Sequence, residues 1–148
     1  MAMIDKLLTF CTAQALTDAD EKFTDVIDLK AAGLLGSGKP LQVCINVDVA
    51  ADGTTTNETY VFNVITDDVA TIDSGTTIAT KTITYAALAV NTLHTIDIPE
   101  NMATLQYLGV QFDGGGTSPT VTVTAWLAEK GSIPTSPTKG KFTNGYDA

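Results

Sequence analysis

Residues 36–52 read GSGKPLQVCINVDVAAD, and this stretch decides the fold class. Leu41, Val43, Ile45, Val47 and Val49 are apolar at every second position, with Gln42, Cys44, Asn46 and Asp48 between them. A strand turns successive side chains to opposite faces, so the alternation predicts a strand with one dry face and one wetter face. Pro40 suits the first residue of a strand, where its missing N–H costs least. Gly36 and Gly38 before it, and Asp52-Gly53 after it, punctuate the ends. We read the stretch as a central strand of a β-sandwich. Its entry, Gly36-Ser37-Gly38-Lys39, has the look of a phosphate cradle. A P-loop, however, needs Gly-Lys followed by Ser or Thr opening a helix, and here Pro40 follows and a strand begins.

Working outward, further short strands are expected at 22–29, 58–66, 78–85, 92–98, 105–113 and 120–129. The last two look like a hairpin, joined by a loop of about 5–7 residues around Ser118-Pro119. In 120–129, Val121, Val123, Ala125 and Leu127 line one face, and Thr122, Thr124 and Trp126 the other. Residues 13–21 show no alternation and read as loop, and 86–91 as a turn. The 25 threonines agree with pleated surface. No helical period competes. The expected architecture is all-β, a single-domain jelly-roll-type β-sandwich. It comprises an N-terminal arm at 1–10, the sandwich at 11–129 and an extended C-terminal tail at 130–148. Greek-key sandwich, jelly roll and closed barrel all fit the strand count.

The chain has 148 residues, enough for one core of aliphatic side chains without metal or disulfide. Its net charge is −9, from 17 acids against 8 basic residues, all lysine. Nucleic-acid binding rests on clustered Lys and Arg, so that class is not expected. No apolar run approaches the roughly 20 residues of a membrane-spanning helix, and the N-terminus lacks the apolar run of a secretory signal. Cys11 and Cys44 do not make a disulfide framework, and Cys44 reads as a small packing residue.

Catalytic chemistry finds little to work with. The one imidazole, His94, lies in a predicted strand beside Thr92 and Asp97, with no local nucleophile and acid to complete a triad. Asp67-Asp68 and Asp97 with Glu100 are the candidate carboxylate pairs. Asp48, Asp52 and Asn57 miss the spacing of a calcium loop. Asn57-Glu58-Thr59 matches a glycosylation sequon without the secretory context that would use it. We expect no enzyme activity, no metal and no cofactor. Trp126 is the one aromatic flagged for a contact surface.

The opening MIDKLLTF (3–10) and TAQALT (12–17) resemble the start of a family of tailed-bacteriophage capsid decoration proteins, also called cement or capsid-stabilising proteins. Residues 26–29 (VIDL), 36–49 and 108–129 agree with it in order and spacing. The resemblance implies a jelly-roll protein on the outer capsid surface, assembled in the host cytoplasm. Such a protein would bind the phage major capsid protein, with a homodimer as the favoured oligomer. The irregular but apolar ends of the chain are the expected docking parts. Their candidate contacts are Ile4, Leu7, Leu8 and Phe10 in the arm and Lys139, Lys141, Phe142 and Tyr146 in the tail. The alternative is a carbohydrate-binding or adhesin-like sandwich on a virion surface, which would need exposed aromatics in a row. Trp126, Tyr60, Tyr85 and Tyr107 are the candidates for that row.

Overall fold

The computed structural model describes residues 8–29, 41–52, 57–99 and 105–129. Nine strands are found there. They are β1 (Thr9–Leu16), β2 (Glu21–Lys22), β3 (Ile27–Asp28), β4 (Leu41–Val49) and β5 (Thr59–Asp67), then β6 (Thr76–Ile83), β7 (Leu93–Asp97), β8 (Tyr107–Gly115) and β9 (Val121–Glu129). A short 3-10 turn, Tyr85–Ala87, lies between β6 and β7.

The strands form two antiparallel sheets. One runs β1-β9-β4-β7; the other runs β2-β8-β5-β6, with β3 also on β8. Strands consecutive in the chain lie in opposite sheets except β2–β3 and β5–β6. This interleaving is the jelly-roll arrangement of two Greek keys. β4 is central, between β9 and β7, as its alternation implied.

The core lies between the sheets. Val43, Ile45 and Val47 of β4 meet Val121, Val123, Ala125 and Leu127 of β9 on one wall. Tyr60, Phe62 and Val64 of β5 with Leu108, Val110 and Phe112 of β8 form the other. Phe62 and Phe112 pack with their rings tilted at 45° and 5.4 Å between centroids, and Phe23 meets Phe62 edge-on at 6.3 Å. Offset and edge-on pairs of this kind add to the burial of the rings themselves.

Four expectations change. First, 105–113 and 120–129 are not a hairpin: β8 pairs with β2, β3 and β5, and β9 with β1 and β4. Alternation looks the same whether a strand returns beside its neighbour or crosses to the facing sheet. The crossing corner uses Gly116 at φ 88° and Ser118 at φ 56°. Second, residues 13–16 are strand, the second half of β1. Register shifts between Thr9 and Cys11 and between Cys11 and Gln14, with Ala13 at φ 47°, scramble the alternation there. Third, 22–29 is two short contacts with β8 rather than one strand. Fourth, the outward face of β4 is not wet along its length, because Gln42, Cys44 and Asn46 are all buried.

Candidate interaction surfaces

Among the expected docking residues, Phe10 is a correction. It is fully buried in the core as the second residue of β1. Its carbonyl accepts the Asp25 N–H at 2.8 Å, which ties the strand's free side to the 23–26 segment. A fully buried ring at the start of a core strand is not available for docking, and the sandwich therefore begins at Thr9. Leu8, one residue earlier, is 38% exposed and stays available. Ile4, Leu7, Lys139, Lys141, Phe142 and Tyr146 lie outside the described residues.

The sheet edges are mostly closed by side chains. Gln14 spans from β1 to the other sheet, donating from Nε2 to the Lys22 carbonyl at 3.0 Å and accepting the Thr24 N–H on Oε1 at 2.9 Å. At the opposite side Lys81 of β6 donates from Nζ to the Thr95 carbonyl of β7 at 2.8 Å, joining the two sheets. Bulges, short strands and inward-turned charge are the usual ways to stop an edge recruiting further strands.

The candidate aromatics do not form a row. Tyr60 is fully buried, its hydroxyl donating to the Asp52 carbonyl at 3.0 Å. Burial raises its phenol pKa above the usual value, with the acidic Glu58 and Asp52 nearby adding to the rise. Trp126 sits opposite Cys44 on the sheet face turned away from the core and is only 3% exposed. Tyr107 is half-buried; Tyr85 alone of the four is exposed.

His94 is held as a structural group. Its Nε2 lies 3.0 Å from the Ala87 carbonyl and 3.1 Å from Thr92 Oγ1. A carbonyl only accepts, so Nε2 carries the proton. Burial pushes the imidazole pKa below its ordinary value; the Lys81 charge pushes the same way, against the Ala87 carbonyl. The carboxylate of Asp48 is engaged by Asn46 Nδ2 at 2.9 Å and Thr124 Oγ1 at 2.6 Å. Asp67 accepts the Val69 N–H at 3.2 Å, capping the turn after β5. An open groove at one end of the sandwich, lined by Thr17, Asp18, Gly114, Gly116, Pro119 and Thr120, carries Asp18 as its one charged side chain.

The sequence reading missed the other exposed feature of the fold. Val49 is 59% exposed and Val90 53%. The β4–β7 pairing ends with Asn46 opposite Leu93, but the chain before β7 stays hydrogen-bonded to the end of β4. The Val47 N–H donates to the Thr92 carbonyl and the Ala51 N–H to the Leu88 carbonyl, both at 3.0 Å. The Asn91 N–H also donates to the Val47 carbonyl at 2.8 Å and the Thr92 N–H to the Ala89 carbonyl at 3.2 Å, so a tight turn over 89–92 packs beside the end of β4. Tyr85, Ala86, Ala87 and Ala89 are also exposed on the same loop, while Leu88 is buried and anchors it. The loop is pinned from behind: Thr92 Oγ1 donates to the Ala89 carbonyl at 2.6 Å, and His94 holds the Ala87 carbonyl. The available signal was the run 84–92, TYAALAVNT, uncharged in an acidic chain.

The family model Bbp16 matches residues 10–127, spanning β1 almost to the end of β9. The chain belongs to the Bbp16 family. No curated protein matches it. For this Bbp16-family member the match covers both sheets, so membership is a property of the whole sandwich rather than of one motif.

Proposed function

We propose that this Bbp16-family chain is a structural, non-enzymatic virion protein. It binds the outer surface of a bacteriophage capsid and clamps neighbouring major capsid protein subunits. The observation that carries the reading is where the family-like segments fall. In the described residues the decoration-protein-like stretches occupy β1, β3, β4 and the β8–β9 pair of strands, which belong to both sheets. Segments far apart in sequence thus support one rigid jelly roll, the fold the resemblance implies.

The physics suits the role. A clamp needs rigidity and contact area more than a pocket. A rigid two-layer core with both open sides tied by Gln14 and Lys81 resists shear when its neighbours separate. Many modest contacts, repeated around a shell, hold by multivalency. A dimer would present the same patch twice about a two-fold axis.

Co-sedimentation with undecorated heads, assembled from purified major capsid protein of tailed bacteriophages, tests the reading. Saturable, stoichiometric binding and greater resistance of the heads to heat are expected. Absence of binding at micromolar protein would refute it.

A further inference from the structure

We propose that Lys81 and His94 form an acid-sensitive clasp on the side of the sandwich where β6 and β7 meet: a proton taken up by His94 drives the Lys81 ammonium off the Thr95 carbonyl and out to water. The clasp belongs to the sandwich itself and is independent of what the sandwich binds.

β6 and β7 are end strands of different sheets, so no backbone ladder joins them. A side chain does. Lys81 stands opposite Phe62 of β5 on the core-facing side of β6, and its Nζ reaches across to the Thr95 carbonyl at 2.8 Å. A carbonyl offers a dipole but no counter-charge, and among the described residues Lys81 forms no ion pair. His94, the residue before Thr95, stands opposite Ile45 of β4 and so also faces inward. Lys81 is the charged group of β6 that acts on it. β4 presents the uncharged Ile45 there, and the 84–92 loop carries no charge. Asp97, the acid on β7 itself, stands opposite Gln42 and points to the other face of the sheet.

A second positive charge on this side is therefore relieved by movement, and the hydrogen bonds decide which group moves. Nε2 carries the proton of the neutral ring, so acid adds the further proton at Nδ1. Nε2–H donates to the Ala87 carbonyl in both states, and an imidazolium is the stronger donor. The ring is thus held more tightly once charged. Lys81 is held by one carbonyl at the end of a flexible stem, and its ammonium regains full hydration by swinging outward. Burial sets the ring against taking the proton, and the Lys81 charge adds to that, with the Ala87 carbonyl opposing both. Because the two cations repel, uptake of the proton and release of Lys81 are linked.

The experiment is an NMR titration of the full chain between about pH 8 and pH 5, in which the one histidine gives an unambiguous signal. In wild type, carbon relaxation of the Lys81 ε-methylene should pass from restricted to surface-like with the same midpoint as the His94 ring. In His94→Gln, which keeps a donor for the Ala87 carbonyl, Lys81 should stay restricted throughout. In Lys81→Met the His94 midpoint should rise by about half a pH unit or more. If methionine impairs folding, Lys81→Gln, uncharged and still a donor to Thr95, takes its place with the same expected rise. A Lys81 side chain whose mobility ignores the His94 titration overturns the clasp, as does a His94 midpoint that neither Lys81 variant moves. So does an acid transition in circular dichroism that unfolds the chain before His94 titrates, since the clasp then has no open folded state.

Discussion

Replacing Phe10 by alanine separates a core residue from a docking residue. Phe10 is fully buried, belongs to the main hydrophobic cluster and has its own carbonyl bonded to Asp25. Truncating a buried phenylalanine costs about 3–5 kcal/mol, from lost transfer energy and the cavity left behind. The lower end applies here. β1 is an edge strand with register shifts around Phe10, so it can relax partly into the space. A cost of about 3 kcal/mol lowers the melting temperature of a chain this size by about 6–12 °C. Leu8→Ala, two positions earlier on a side chain 38% exposed, should change stability by no more than about 0.5 kcal/mol. Urea unfolding read by tryptophan fluorescence is the assay. The single tryptophan, Trp126, stands opposite Thr9 in the β1–β9 register and so reports on this corner of the sheet. The two variants should share one m-value and differ in midpoint. A Phe10→Ala protein within about 1 kcal/mol of wild type would refute the core placement and return Phe10 to the arm.

Three further outcomes follow from the geometry. Burial pushes the Cys11 thiol up to about 12 and the Cys44 thiol to about 11. With so little thiolate at neutral pH, neither should react with an aromatic disulfide reagent until the fold opens; rapid labelling of either in native protein would contradict the buried placement. His94 has a folded pKa below its unfolded one, so the unfolded chain takes up the proton first. Its contribution to stability is complete above about pH 6.5 and is lost as pH falls through that value toward the folded pKa. His94→Gln should flatten this limb of a melting-temperature profile, and an unchanged limb would show that other groups set it. Gly116 sits at φ 88°, where an added Cβ would run into the Asn57 backbone, whereas a Cβ on Gly115 would meet only the rotatable Thr59 side chain. Gly116→Ala should therefore cost about 2 kcal/mol or more and Gly115→Ala clearly less; equal midpoints in urea would rule out the strained corner.

What the sequence determined by itself is the local periodicity. The bounds of β4, its place in a sheet interior, and the two faces of β9 could be read directly, because side-chain alternation depends only on each strand's own backbone. The buried face holding Val43, Ile45 and Val47 is legible for the same reason. β1 was half hidden because its bulges break the period that makes strands visible. Only the tertiary structure decided that β8 and β9 part company into different sheets, since pairing is a choice among partners and alternation names none of them. The same limit hid the apolar end. Val49 continues the alternation in the sequence and is nonetheless more than half in water, because a register shift after Val47 pairs it with Thr122, on the face of β9 turned away from the core. Leu88 and Val90 lie two residues apart in an uncharged turn, yet one is fully buried and the other is more than half exposed. The fold class could thus be read from the chain, and the surface it leaves exposed could not.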